Sequence, residues 1–422
     1  MADRIEPGSI IRGTSVEEFC RTADIPFKEV ADPVPLMAKP FGNMVETPDL
    51  LYNLGHVLSG LQLGRTMTVV DFGAGTCWLS RCLNQLGCAT VSVDPSAAAL
   101  DIGRRLFREY PPIGGCVKAP VFLLYDGRHI DLPDASVDRT ICFDSFHHVP
   151  NQAEVLAEFA RILKPGGVAA FSEPGRYHSQ SESSQHEMRT FGVLENDMML
   201  EDIKEKAFKV GFTDMVQKLA LSPYISLPYR QYLMSSSPNP VRRLGHKILA
   251  SLSTLRTHYT LMKSVLARSI FMLHKGPFMP DSRLSHVAKG GGSGAGAARD
   301  LQYEMTADRL DIRAAPGERI TVTLVIRNTG GVSWLHDNFV DYAVVKVGGH
   351  LLDKDMKTLN HDFLRSMFAA DVPPGAEVRS TFDFSLDKPG EYKLVLDLVS
   401  ERIVWFEASG SKPVCLKVTI SG

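Results

Sequence analysis

The chain has 422 residues and a formal net charge of −2, and 44% of its residues are hydrophobic and 22% charged. This is the composition of an ordinary globular protein of two or three domains. A charge balance so near zero gives no reason to expect a nucleic-acid partner, and we predict none. The seven cysteines form no CxxC pair and no Cys/His metal spacing, which predicts reduced thiols and no metal site.

The sequence shows neither a targeting pattern nor a membrane span. The segment MADRIEPGSI lacks the basic and apolar regions of a signal peptide, and no run of about 18 apolar residues occurs. We therefore expect a cytoplasmic protein.

In chain order, residues 1–285 alternate apolar, β-rich runs with helical patterns. The patterns predict helices over 77–87, 95–109 and 151–163. They predict strands over 67–71, 89–93, 120–125, 138–143, 167–172, 213–221 and 269–275. This alternation is typical of an α/β fold in which a parallel sheet has helices on both faces.

Residues 286–300, HVAKGGGSGAGAARD, are so rich in glycine and alanine that they predict a flexible linker. The linker separates the α/β region from residues 301–422. In that second region, short alternating runs such as RITVTLVIRN and GEYKLVLDLVS are separated by Gly, Pro, Asn and Asp. No helical pattern intervenes, so we predict an all-β sandwich domain.

The stretch VVDFGAGTCWLSRCLNQLGCATVSVDPS, residues 69–96, has the most specific pattern. Glycines at Gly73 and Gly75 between a strand and a helix allow a ligand to approach the backbone. The position of the last glycine of a dinucleotide fingerprint holds Trp78, and the acid Asp71 before the loop would repel a phosphate. Asp94, at the end of the second strand, is placed to bind a ribose. A cofactor with an ammonium group and a ribose but no phosphate, such as S-adenosylmethionine, fits this pattern.

With these motifs, residues 66–175 resemble a class I S-adenosylmethionine-dependent methyltransferase of type 11. The first family motif matches residues 71–76, with Cys77 in place of its third glycine, which predicts a slightly tighter site. The fourth-strand motif matches CFDSFHHVPN and the following turn matches LKPGG. The resemblance implies a Rossmann-like seven-stranded sheet whose last two strands form an antiparallel hairpin. The cofactor-binding residues that it implies are Asp71, Phe72, Gly73, Ala74, Gly75, Asp94, Pro95, Asp126, Gly127, Phe143 and Asp144.

The acceptor side of the site is predicted at the ends of the fourth and fifth strands. His147 and His148 are adjacent in the fourth-strand loop, and an imidazole can take the proton of an acceptor hydroxyl. Alternatively, one of them caps the next helix or fills the cofactor pocket. Glu173 follows the fifth strand and is the second candidate for a base or an orienting group, and His178 lies in the same polar loop. Asp144, His147, His148 and Glu173 could together hold a metal, but their spacing matches no familiar ligand pattern, so no metal is expected.

Residues 222–268 are predicted to be a basic helical insertion between the last two strands. Residues 216–280 contain nine Lys or Arg and no Asp or Glu. The insertion is interpreted either as a lid over the acceptor site or as a surface for an anionic membrane, an anionic polymer or a lipid-linked substrate. The second interpretation would place the protein peripherally at the inner face of the membrane.

The sequence thus favours an O-methyltransferase. Because residues 301–422 resemble the Ig-like modules appended to bacterial polysaccharide enzymes, the predicted acceptor is a sugar hydroxyl of a surface polysaccharide or of its lipid-linked precursor. Trp334, Trp405 and Phe406 are candidates for glycan contact, although core packing is commoner. One alternative acceptor is a small secondary metabolite or a quinone. The other alternative is a glycan- or partner-binding protein whose methyltransferase-like domain is inactive.

Overall fold

The computed structural model describes residues 4–276 except 65–66, 117, 220–237, 242–243 and 245–265, and residues 301–422 except 332–333 and 337–343. The chain divides into two compact units, Met1–Phe278 and Met279–Gly422. The predicted linker and almost all of the predicted basic insertion lie outside the described residues. None of the helices in the described parts of the chain is long and apolar enough to cross a membrane.

The first unit is built on a seven-stranded sheet with the order β3-β2-β1-β4-β5-β7-β6. Its strands are β1 (Thr68–Phe72), β2 (Ala89–Asp94), β3 (Val121–Leu124), β4 (Val137–Phe143), β5 (Leu163–Pro174), β6 (Asp214–Lys218) and β7 (Arg268–His274). The first five strands pair in parallel, whereas β7 pairs antiparallel with both β5 and β6. This arrangement confirms the predicted α/β fold class, including the antiparallel hairpin at the end of the sheet.

Ten helices of the described chain belong to this unit. Three that follow strands were predicted, and they are observed as α6 (Trp78–Gln85), α7 (Ala97–Glu109) and α8 (Gln152–Ile162). The others were not predicted: α1 (Pro7–Gly13), α2 (Val16–Ala23), α3 (Ile25–Lys28), α4 (Val34–Met37), α5 (Thr47–Leu61), α9 (Glu182–Phe191) and α10 (Leu200–Lys209). Apolar residues on the two faces of the sheet belong to separate clusters, one with α8 and α10 and the other with α5 and α6. The sheet is therefore covered on both faces.

The second unit contains two sheets. Three strands pair in the order β13-β10-β8, and five pair in the order β12-β11-β14-β16-β9, with β15 added beside β14. Their bounds are β8 (Tyr303–Ala307), β9 (Asp311–Ala314), β10 (Ile320–Asn328), β11 (Val345–Asp353), β12 (Thr358–Met367), β13 (Glu377–Phe384), β14 (Gly390–Ser400), β15 (Val404–Trp405) and β16 (Val414–Ile420). Residues of both sheets share one hydrophobic core, in agreement with the predicted β-sandwich. The narrower Ig-like assignment stays a prediction.

The burial of two aromatic side chains in the sandwich contradicts part of the glycan contact predicted from the sequence. Trp334 and Phe406 have no exposed surface, so they are core residues and cannot stack on a sugar. Trp405 is half-buried, packs closely against the bare backbone of Gly348, and has the guanidinium of Arg365 4.6 Å from its ring centroid. Its ring is therefore already in contact with protein groups.

Candidate functional site

A cavity of about 480 Å³ lies at the carboxyl ends of β1, β2, β3 and β4, where open α/β sheets bind ligands. Its floor consists of the loops that follow these strands. Its roof is formed by the helices α2, α3 and α4, the segment that joins α4 to α5, and the first turn of α5. The roof residues are Val16, Phe19, Cys20, Thr22, Ala23, Pro26, Phe27, Leu36, Lys39 and Leu50. The sequence contained one signal for this roof: Ser15 and Glu18 have the spacing of a helix-capping box, and the Ser15 hydroxyl accepts a hydrogen bond from the Glu18 N–H.

The loop after β1 passes through the floor of the cavity with its predicted glycines. Gly73 and Gly75 have φ angles of +69° and +50°, a region of backbone conformation that favours glycine. A Cβ at Gly73 would lie 2.3 Å from the Cβ of Ser145, so there is no space for a side chain there. A Cβ at Gly75 would have only Phe27 nearby, at 4.0 Å. Together with Phe72 and Ala74, which also line the cavity, this loop leaves backbone accessible to a ligand.

Asp94 is a buried carboxylate in the cavity wall, where it was predicted, and Pro95 lies next to it. Its two oxygens accept hydrogen bonds from the backbone N–H groups of Gly75, at 2.7 Å, and Ser96, at 2.8 Å. Burial raises the pKa of Asp94 to about 6, although these hydrogen bonds act to lower it. A carboxylate has about four acceptor positions, so Asp94 can also accept hydrogen bonds from a ligand.

Asp71 was predicted to contact the cofactor directly, and the structure corrects this. Its side chain is buried outside the cavity wall and accepts a hydrogen bond from the Ser80 hydroxyl at 2.7 Å. Burial raises the pKa of Asp71 to about 7, against the hydrogen bonds from Ser80. The carboxylate is thus separated from the cavity and is bonded to Ser80 on α6.

A second correction concerns the loop after β3. The exposed Asp126 does not line the cavity, because its Oδ1 accepts hydrogen bonds from the backbone N–H groups of Arg128 and His129 at 2.8 Å each. Those backbone hydrogen bonds lower its pKa. Gly127 does line the cavity, as predicted, and a Cβ there would lie 2.5 Å from Val16 in the roof. In this loop, Gly127 lines the cavity and Asp126 lies outside its wall.

Cys77, which replaces the third motif glycine, has a left-handed backbone with φ of +61° and is fully buried. Its sulfur lies outside the cavity wall and packs against α7, where a Cβ on Gly103 would be 2.4 Å from Sγ. The expected tightening of the site is therefore not observed. The absence of a side chain at Gly103 provides the space that the cysteine needs.

Phe143 and Asp144, at the end of β4, also line the cavity as predicted. The ring of Phe143 meets the indole of Trp78 edge to face, with centroids 5.5 Å apart. Asp144 has a left-handed backbone with φ of +52° and forms a 2.6 Å ion pair with Arg268 on β7. Trp78 is thus part of the wall and leaves the loop after β1 open.

The structure distinguishes between the two adjacent histidines. His148 lines the cavity, and its Nδ1 lies 2.7 Å from the carbonyl oxygen of Leu194. Loss of water around the ring and the nearby charge of His147 keep the pKa of His148 below its ordinary value. His147 is buried behind the wall, with its ring centroid 3.9 Å from that of His148. Of the two histidines, only His148 lines the cavity.

Glu173 is completely buried and does not line the cavity. Its carboxylate accepts hydrogen bonds from the backbone N–H groups of Ser145, Phe146 and His147, and it lies 2.7 Å from Nδ1 of His147. Burial acts to raise the pKa of Glu173, but the hydrogen bond and charge of His147 outweigh it and lower the pKa. Glu173 therefore holds the turn that carries His147 and His148, and it lies outside the cavity in which a base would have to meet an acceptor.

Two residues next to this turn were not recognised in the sequence. Leu194 supplies the carbonyl that bonds to His148, and the buried Glu195 contacts three histidines. Both lie in an irregular segment between α9 and α10, which has no motif or periodicity that marks it. His178, which was expected in the acceptor pocket, bonds to Glu195 and lies outside the cavity wall.

Comparison with known proteins gives one family match, to the methyltransferase domain family, over residues 70–171. A malonyl-[acyl-carrier protein] O-methyltransferase of Yersinia pestis is 34% identical over 145 residues, which are 32% of this chain and 49% of that protein. A demethylmenaquinone methyltransferase of Tropheryma whipplei is 32% identical over 112 residues, or 26% of this chain and 44% of that protein. The chain thus spans about half the length, or less, of the curated relatives that it matches.

Among solved structures, a phosphoethanolamine N-methyltransferase of Haemonchus contortus in complex with S-adenosylhomocysteine aligns with a TM-score of 0.41 at 18% identity. The alignment covers 63% of this chain and 61% of that one, and its score is too low to support any functional inference.

The residues around the cavity suit the predicted cofactor. The loop of Gly73 and Gly75 leaves its backbone open, and the buried Asp94 offers free acceptor positions to a diol. The sheet order, this loop and the family match over residues 70–171 lead to one conclusion. The chain carries a class I S-adenosylmethionine-dependent methyltransferase domain, and S-adenosylmethionine is its cofactor.

Proposed function

We propose that the protein methylates a hydroxyl group of an acceptor with a largely apolar body, and that His148 is the general base. The observation that carries this proposal is the hydrogen bond of 2.7 Å between Nδ1 of His148 and the Leu194 carbonyl oxygen, in the wall of the cavity. A carbonyl oxygen can only accept, so Nδ1 carries a hydrogen. In a neutral imidazole the other nitrogen, Nε2, then has a lone pair available for a proton.

When bound, S-adenosylmethionine supplies an electrophilic methyl group on its sulfonium sulfur. His148 Nε2 takes the proton of the acceptor hydroxyl as the oxygen becomes nucleophilic, which is general-base catalysis. The imidazolium that results has a carboxylate nearby, because Oε1 of Glu195 lies 3.5 Å from Nδ1 of His148. Glu173 keeps the turn in place through its bonds to three successive N–H groups.

The lining of the cavity supports an acceptor with an apolar body. Most of the wall beyond the cofactor-binding loops is aliphatic or aromatic, and its members include Phe27, Leu36, Leu50, Val193 and Leu194. A sugar needs many hydrogen-bonding partners, and few polar side chains are present to provide them. Two relatives are named for a malonyl-acyl-carrier acceptor and for demethylmenaquinone. This favours the small-metabolite or quinone alternative over the polysaccharide acceptor, which remains an untested prediction.

The experiment that tests this proposal supplies S-adenosylmethionine with a labelled methyl group and three acceptor classes: phenols and quinols, hydroxylated acyl chains, and sugar nucleotides. We expect transfer to the first or second class. Transfer to sugar nucleotides alone would overturn the apolar acceptor, and failure to bind the cofactor in calorimetry would favour the inactive binding protein.

His148→Ala and His148→Gln test the base. A general base contributes about 10²–10⁴-fold, so turnover should fall by this factor while cofactor affinity changes little. His129→Ala, at an exposed histidine in the same domain, is the matched control and should behave like the unaltered protein. Unchanged turnover in both His148 variants would remove the histidine from the mechanism.

A further inference from the structure

A cluster of titratable side chains lies behind the cavity wall and has no part in binding the cofactor. It consists of His147, His178 and Glu195, whose ligand-type atoms all lie within 4.8 Å of one another. His147 comes from the turn after β4, His178 from the loop after β5, and Glu195 from the segment after α9. Three separate parts of the chain therefore converge on one point.

The distances in the cluster are close to those of a metal site. Oε2 of Glu195 is 2.6 Å from Nε2 of His178 and 3.9 Å from Nε2 of His147. Two ligands of a tetrahedral zinc ion, each about 2.0–2.1 Å from the metal, lie about 3.3 Å apart. Shifts of well under 1 Å in these two contacts would give that separation. The Ser184 hydroxyl, 3.2 Å from Nε2 of His178, adds an oxygen beside the cluster.

The surroundings supply the outer partner that metal-binding histidines require. Nδ1 of His147 lies 2.7 Å from Oε2 of Glu173, so Nδ1 donates to this carboxylate and Nε2 is the nitrogen available to a metal. A carboxylate–histidine pair of this kind fixes the tautomer and the direction of the ligand. His147 is 5% and Glu195 6% exposed, whereas the side chain of His178 is 23% exposed and provides the route of entry.

The negative charge of the cluster also favours a bound metal ion. Two buried carboxylates lie in the cluster: Glu173 contacts His147, and Glu195 contacts both His147 and His178. Buried carboxylates need positive charge close by, and a divalent cation would supply it at one point. Two histidines and one carboxylate are a ligand set that zinc and other divalent first-row metals accept.

We propose that His147, His178 and Glu195 bind one divalent transition-metal ion of the zinc type, with Glu173 as the outer partner of His147. The ion would link the segment 192–199 to the loops that follow β4 and β5. Because Leu194 directly precedes the ligand Glu195, the ion would also hold the Leu194 carbonyl against His148. The inference does not depend on the acceptor or on methyl transfer.

The test measures metal binding by the full chain and requires no acceptor. The protein is dialysed against a chelator and titrated with Co²⁺, whose visible absorption reports tetrahedral coordination, and Zn²⁺ content is measured by elemental analysis. We expect one ion per chain in the unaltered protein and a loss of more than 100-fold in affinity in His178→Ala and Glu195→Gln. His186→Ala, on the exposed side of the neighbouring helix α9, is the control and should retain one ion.

The outcomes separate clearly. If the unaltered protein binds no Co²⁺ or Zn²⁺ after chelation, the cluster is a hydrogen-bonded network only and the proposal is wrong. The proposal is equally wrong if both ligand variants bind the ion as tightly as the control. Should His178→Ala fail to fold, Glu195→Gln still decides the question, because glutamine preserves the volume and removes the anionic ligand.

Discussion

The sulfur of Cys77 occupies the space that a side chain on Gly103 would need, since a Cβ there would lie 2.4 Å from Sγ. Cys77 is the N-cap residue of α6 and Gly103 lies inside α7, so the two helices meet at this contact. The departure of the first motif from its usual third glycine is thus matched by a glycine 26 positions later in the chain.

This pairing predicts that Gly103→Ala destabilises the domain. Overpacking costs about 1–3 kcal/mol and alanine gains roughly 1 kcal/mol over glycine within a helix, so the expected net loss is up to about 2 kcal/mol. The second substitution Cys77→Gly should restore most of the loss. Gly55→Ala is the matched control, because a Cβ there meets nothing within 4 Å, and it should be neutral or stabilising. Urea denaturation gives the free energy of unfolding of the two single variants, of the double variant and of the control. If the effects of Gly103→Ala and Cys77→Gly on this free energy simply add, the pairing is refuted.

The buried Asp71 makes stability depend on pH in an unusual direction. Its folded-state pKa of about 7 lies above the unfolded value, so the folded protein binds more protons between the two values. Stability from this group is therefore present at low pH and lost as the pH rises towards 7. Between pH 5 and 8 the difference amounts to about 2–3 kcal/mol.

The variant Asp71→Asn isolates this effect. It cannot titrate, and its amide oxygen can still accept the hydrogen bond from Ser80. We expect the unaltered protein to lose stability relative to the variant from pH 5 to pH 8 in denaturant titrations without cofactor. Parallel pH profiles of the two proteins would contradict the raised pKa.

Asp94→Asn should weaken S-adenosylmethionine binding about 10–100-fold, because hydrogen bonds to a charged group contribute about 1.5–3 kcal/mol. Gly75 and Ser96 donate to different oxygens of Asp94, and asparagine replaces one of these with an NH2 group that cannot accept, so the loop after β1 would be less well held. Asp101→Asn, exposed on α7, is the control. Calorimetry measures both variants, and equal affinities would remove Asp94 from the cofactor site.

Substitution of the two motif glycines by alanine should have different effects on stability and on cofactor affinity. Gly73→Ala places a Cβ against Ser145 and should destabilise the domain. Gly75→Ala meets no such contact, so its cost is the left-handed backbone, about 1–2 kcal/mol, together with reduced cofactor affinity. Thermal unfolding and cofactor titration of each variant separate these effects. The prediction requires that Gly73→Ala be the less stable of the two.

Asp24 connects the roof of the cavity to the floor. Its Oδ1 accepts hydrogen bonds from the Ser96 hydroxyl at 2.7 Å and from the Ala98 N–H at 2.9 Å, at the start of α7. Asp24→Ala should raise amide hydrogen exchange in α2 and α3 and weaken cofactor binding, although Asp24 does not line the cavity. Glu29→Ala, at an exposed acid of the same region, should change neither. Unaltered exchange in Asp24→Ala would disprove the connection.

The sheet and the floor of the site were predictable because both depend on short-range pattern. Continuous apolar runs such as TVVDF identify buried parallel strands, and the spacing from Gly73 to Asp94 is set within one strand–helix–strand unit. The roof was missed because α3 and α4, which contribute to it, are too short to show a helical period. The contact of Glu195 with His147 was missed because it joins segments 48 residues apart, through a loop with no regular pattern.

No residue of α2 or α3 is fully buried, although residues of both helices line the cavity that holds the methyl donor. Segments with so little buried surface open at low free-energy cost, well before the rest of a domain unfolds. A donor molecule held between them and the strand loops would add contacts that the empty domain lacks. Occupancy should therefore protect the first forty residues from proteases, so that limited digestion reports donor binding without any knowledge of the acceptor.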